Sequence, residues 1–94
     1  MKKFQDKPDT AIFTTKSVFN RQEDISYVFH HKEDGAWEFI GNSSYTENEY
    51  IILSLREIIE LDITILEIAD LPLGYEAFRT HKNLPWLVSQ SSPD

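Results

Sequence analysis

The stretch Ser54–Pro72, SLREIIELDITILEIADLP, constrains the fold of this chain more than any other. It opens with the pattern of a capping box: the Ser54 hydroxyl can accept the amide proton of Glu57, and the Glu57 carboxylate can reach back to Ser54. Leu55, Ile58 and Ile59 follow at helical spacing and predict a short helix over Leu55–Leu61. Asp62 is a second N-cap candidate. Beyond it Ile65, Ile68 and Ala69 share one face of a second short helix, roughly Ile63–Asp70. Neither helix is long enough to stand alone, so a kink at Asp62 is expected and both must lie on an apolar layer. Leu71-Pro72 stops the second helix, because the residue before a proline avoids the α region. Gly74 then permits a reversal.

The apolar layer is predicted to be a β-sheet. TAIFTT (Thr10–Thr15) is rich in β-branched and aromatic residues and reads as a strand. KSVFNRQEDI either continues it or turns through Asn20 to Asp24. ISYVFHHK (Ile25–Lys32) and AWEFIG (Ala36–Gly41) flank EDG (Glu33–Gly35), the pattern of a hairpin turn. Alternation sets Trp37 and Phe39 on one face of the second strand. Ile25, Tyr27 and Phe29 share a face of the first, and these two rows are expected to meet on the core side. GNSSYTENE is a polar loop, and YIILS (Tyr50–Ser54), a continuous apolar run, reads as a buried strand. After the reversal, YEAFRT (Tyr75–Thr80) reads as a strand, with a helical turn as the competing reading. WLVS (Trp86–Ser89) can form a last strand.

A chain of 94 residues makes one domain with one modest core. Residues 1–9 are expected to be a loose N-terminal tail, 10–89 the domain, and 90–94 a loose C-terminal tail. The net charge is −7, unevenly spread: +3 over residues 1–22, −11 over 23–76 and +1 over 77–94. An acidic body disfavours nucleic acid, whose binding is driven by cationic groups, and favours encounter with a basic protein. Acidity also simply keeps a small domain soluble. No apolar run follows the lysines of MKKFQDKPDT, none nears the roughly 18 residues of a membrane helix, and there is no cysteine. The expectation is a cytoplasmic chain without thiolate or disulfide chemistry.

Catalytic and metal-binding patterns find little support. His30 and His31 are neighbours in a strand and point to opposite faces, so they do not share a metal. Glu57, Glu60, Glu67 and Asp70 have the spacing of the wet face of amphipathic helices. The serines lack a glycine-rich elbow, and Gly35, Gly41 and Gly74 are too dispersed to cradle a phosphate. Trp37 reads as core, whereas Trp86 reads equally as core or as an exposed anchor. In DLPLGYEAFR (Asp70–Arg79), a helix stop, a reversal and a return strand account for Pro72, Gly74 and Phe78 but not for Arg79. Arg79 either pairs internally, with Glu76 or Glu38, or faces a partner.

Four stretches carry a likeness that covers most of residues 10–89: AIFTTKSVF, DGAWEFIGN, SLREIIELDITILEIADLPLGYEAFR and PWLV. Through them the chain resembles a small bacterial family of unknown function, grouped by genomic inference with the immunity proteins of polymorphic toxin systems. The resemblance implies an α+β domain with an antiparallel sheet, no catalytic residues, and action by binding and blocking a toxin domain, often a basic one.

These readings combine into an α+β fold: a twisted antiparallel sheet of about five strands, with the two short consecutive helices packed on one face. Two functions are consistent with it. One is a non-enzymatic protein-binding domain, immunity-like, that meets a basic partner through an acidic patch of Glu47, Glu49, Glu57 and Glu60, with Tyr75, Arg79 and Trp86 as further contact residues. The other is a small ligand binder or enzyme with a pocket near Trp37, Tyr75 and Arg79. No cofactor or metal is implied. A free edge strand, Thr10–Thr15 or Trp86–Ser89, leaves monomer and homodimer both open.

Overall fold

A computed structural model describes residues 2–91. The chain is an α+β domain built on one six-stranded sheet: β1 (Ala11–Thr15), β2 (Tyr27–His30), β3 (Trp37–Ile40), β4 (Tyr50–Ser54), β5 (Tyr75–Phe78) and β6 (Leu87–Gln90). The strand order is β4-β1-β3-β2-β5-β6. The sheet is mixed rather than wholly antiparallel, because β1 runs parallel to β3 at the Phe13–Glu38 register while every other neighbour pair is antiparallel. The parallel pair follows from the connection between them: α1 (Lys16–Phe19), capped by the Thr15 hydroxyl, carries the chain away before the β2–β3 hairpin returns it.

Ser54 ends β4 and starts α2 (Leu55–Leu61) as the sequence predicts. Glu57 N donates to Ser54 Oγ at 3.1 Å and Ser54 N to Glu57 Oε1 at 2.8 Å, which closes the capping box. Ser54→Ala is expected to cost about 1 kcal/mol; it should appear as a lower urea midpoint with an unchanged slope. The kink falls at Asp62, whose side chain caps a 3-10 helix over Ile63–Ile68. Leu55, Ile58, Ile65 and Ile68 join Ile12, Val18, Val28, Trp37 and Phe39 in one buried cluster, with Ile59 packed against it. The predicted second layer is therefore formed, and it covers one face of the sheet.

Several expectations are corrected. Residues 2–9 do not hang loose: Phe4 meets the Trp37 ring edge-on at 5.0 Å, Trp37 Nε1 donates to Asp6 Oδ1, and Lys2 Nζ reaches Asp70. The expected C-terminal tail begins inside β6, and residues 92–94 lie outside the described residues. β4 is an edge strand, not a buried one, and Ile52 is 63% exposed. The β2 aromatics are on the other face from Trp37 and Phe39. His30 pairs with Trp37 and Val28 with Phe39, so the connection is the six residues His31–Ala36, with Gly35 at φ +73°. A three-residue EDG loop would place Phe29 opposite Phe39. The actual loop shifts the register by one and turns Tyr27 and Phe29 outward.

Candidate functional site

The outward face of the sheet, which no described helix covers, leaves a set of large apolar side chains unburied. Across the strands the register aligns Ile52, Phe13, Glu38, Phe29, Glu76 and Ser89 in one row, and Ile40, Tyr27, Phe78 and Leu87 in a second. Phe13, Tyr50, Ile52 and Leu87 are exposed, while Tyr27, Phe29, Ile40 and Phe78 are half-buried. The Tyr27 ring stacks on Phe29 at 6.0 Å and tilts against Phe78 at 4.7 Å. The buried residues of α1, α2 and the 3-10 helix all belong to the cluster on the opposite face.

Two carboxylates interrupt this apolar face. Glu38 and Glu76 both lie opposite Phe29, one strand to either side, so they are roughly 10 Å apart. Glu38 accepts from Tyr50 Oη at 3.2 Å, and its Oε1 lies 2.8 Å from His31 Nε2. Burial, then the charge of Glu38 and the hydrogen bond to it, push the Tyr50 phenol above its ordinary value, which keeps it a donor. Aromatic rings bracketed by acids form a surface suited to lysine and arginine side chains, whose stems lie on apolar area while their charges meet carboxylates.

The residues expected from sequence are placed differently. Glu47 and Glu49 sit on a 3-10 turn before Tyr50, whereas Glu57 and Glu60 follow Ser54, so the pairs flank β4 at opposite ends, separated by roughly 13 Å of strand. They do not form one patch, and Glu57 is engaged in the capping box. Tyr75 lies on the core side, partly buried against the cluster.

Arg79 is 1% exposed and faces inward. Its Nη2 meets Asp62 Oδ2 at 2.8 Å, Nε donates to Ile25 O at 2.9 Å, and Nη1 donates to Thr64 Oγ1 and Lys82 O. Its guanidinium lies 4.0 Å over the Trp86 ring. Internal pairing thus holds, but with Asp62 rather than Glu76 or Glu38, and Trp86 is committed to Arg79. Trp37, 2% exposed, is stacked on His30 at 3.8 Å. The pocket expected near Trp37, Tyr75 and Arg79 is accordingly filled by side-chain packing. A shallow cleft of about 60 Å³ lies beside Arg21, Glu23, Asp24, Asp62 and Lys82 instead.

The residues missed from sequence are Phe13, Phe29, Ile52 and Glu76. For Phe13 and Ile52 the signal was that AIFTT and YIILS are apolar at both parities, which marks strands whose two faces both carry apolar side chains; the faces of Phe29 and Glu76 follow only from the register of the assembled sheet. No described helix is long and apolar enough to cross a membrane. A comparison with protein-family models, curated proteins and solved structures returned no match to this chain, so its function is read from the geometry of this face.

Proposed function

We propose that the chain is a non-enzymatic protein-binding domain that receives a basic partner on the open face of its sheet. The observation that carries this reading is the exposure of Phe13 and Ile52 in the row that also holds Glu38 and Glu76, with Leu87 exposed in the neighbouring row and the exposed Tyr50 bonded to Glu38. A contiguous apolar surface on a small domain marks an interaction site. The carboxylates and the −11 charge of residues 23–76 select a cationic partner and repel an acidic one. An immunity-type role, covering a basic toxin domain in the cytoplasm, is the form of this reading that the sequence resemblance supplies.

The test is capture of a partner at low and high salt by wild type, Ile52→Lys, Glu76→Lys and Glu60→Lys. Binding is expected to weaken steeply with salt. It should be lost in Ile52→Lys and Glu76→Lys, which alter the face, and kept in Glu60→Lys, which lies on α2 behind the sheet. No basic partner at low salt, or equal capture by all four proteins, would refute the reading.

A further inference from the structure

We propose that β6 is a dimerisation edge, along which two copies of this chain pair antiparallel about a two-fold axis. The proposal rests on a difference between the two ends of the sheet, which are β4 and β6. In an antiparallel ladder alternate residues direct their N–H and C=O to the neighbouring strand, and the others direct them away.

At the β4 edge, the register with β1 and the bond from Leu55 N to Thr10 O turn the N–H groups of Tyr50, Ile52 and Ser54 outward. Two of these are occupied from within the chain. Tyr50 N donates to Glu47 O, and Ser54 N donates to the Glu57 carboxylate. Both ends of this edge are thus closed by main-chain capture, with acidic residues beside them, a known defence against strand addition.

At the β6 edge the same accounting gives the opposite result. Ser91 N donates to Gly74 O at 2.8 Å, in register with the pairs Glu76–Ser89 and Phe78–Leu87. Leu87 and Ser89 therefore bond to β5, and Val88 and Gln90 direct their N–H and C=O to the open side. Among the described residues nothing meets them there. All four strand residues are exposed, Leu87 at 67% and Val88 at 52%. Residues 83–93 carry no charge, so no lysine or carboxylate guards this edge.

An occupant must bring open main-chain groups, antiparallel direction and no like charge. The same strand of a second copy brings all three. With the axis at Ser89, Val88 exchanges both of its main-chain bonds with the partner's Gln90, and the symmetric pair repeats this. The acidity of each copy lies elsewhere, since residues 77–94 are net +1. A four-residue edge is a small contact, so the dimer should be concentration-dependent.

The test is light scattering over a concentration series up to the solubility limit, with circular dichroism as the check on folding. Wild type should climb from the 11.0 kDa of one chain towards twice that mass. Val88→Pro removes an N–H that faces the open side and leaves the bonds to β5 intact, so it should stay at the mass of one chain. Ser89→Lys sets like charges on the axis and should do the same, which keeps the test decisive if the proline variant does not fold. Ser89→Cys, the sole cysteine in its chain, should oxidise to a covalent dimer. A wild type that remains one chain throughout, or a folded variant of Val88→Pro or Ser89→Lys that dimerises like wild type, overturns the proposal.

Discussion

Arg79→Met is expected to destabilise the fold by about 3–5 kcal/mol, because it strips the counter-charge from a buried carboxylate. Asp62 is 6% exposed, and its Oδ2 meets only the Arg79 guanidinium among the described hydrogen bonds, while Oδ1 is taken by Thr64 N and Oγ1. The methionine keeps most of the apolar stem but leaves Ile25 O and Lys82 O without their donors as well. Three segments lose their common tie: the start of the β2 strand, the α2 to 3-10 junction, and the β5–β6 connection. Arg79→Lys keeps the charge but not the planar fork that serves four acceptors, so it should fall between wild type and Arg79→Met. In urea unfolding the three proteins should rank in that order, and in thermal unfolding each lost kcal/mol should lower the midpoint by about 4–8 °C. Asp62→Leu combined with Arg79→Met should cost less than the two single changes added together, because the double variant leaves no buried charge unpaired. An Arg79→Met protein within about 1 kcal/mol of wild type would mean that water already reaches the pair.

Arg79 also marks the boundary of what the sequence made legible. Local chemistry found the elements: Ser54 with Glu57 located the start of α2, Asp62 the kink, and Asp34-Gly35 the hairpin. Each of those signals acts over a few residues. The partner of Arg79, by contrast, is 17 residues away and is chosen by how the 3-10 helix docks, not by a pattern within either segment. The same holds for the open face. Whether Phe29 points to the core depends on the length of the hairpin loop to the residue, and whether YIILS is central or at an edge depends on β1 inserting between β4 and β3. α1 escaped because KSVF is too short to display a helical period, and only its Thr15 cap could have announced it. Edge position and face are thus properties of the assembled sheet, and the candidate site consists of just those two properties.

Gly41→Ala is the second large effect expected, at about 1–3 kcal/mol, and its cause is space rather than backbone dihedral. A Cβ on Gly41 would collide with the carboxyl carbon and Oε1 of Glu23 and stand 2.7 Å from its Cγ. A glutamate could ordinarily swing aside, but this one is fastened. Ser17 Oγ donates to it at 2.6 Å, Ser43 Oγ at 3.0 Å, Asn42 N at 3.2 Å and Ser43 N at 3.3 Å, and the Tyr45 hydroxyl donates as well. Moving Glu23 therefore unties the 42–45 loop from the residues after β1. The methyl should cost little in a Glu23→Ala background, so a double-mutant cycle should return a strong coupling between the two positions. Acid should act on the same contact. Burial alone would raise the Glu23 carboxyl, but the hydrogen bonds from Ser17, Tyr45 and Ser43 outweigh it and hold the group below its ordinary value. A lowered value means that the ionised form stabilises the fold. That contribution is complete above the unfolded value of about 4.3 and fades as pH falls through the lower folded value. The stability gap between wild type and Glu23→Gln should therefore be constant near neutrality and narrow below about pH 4. A gap that held constant or widened in acid would show that the Glu23 charge plays no part in fastening the loop.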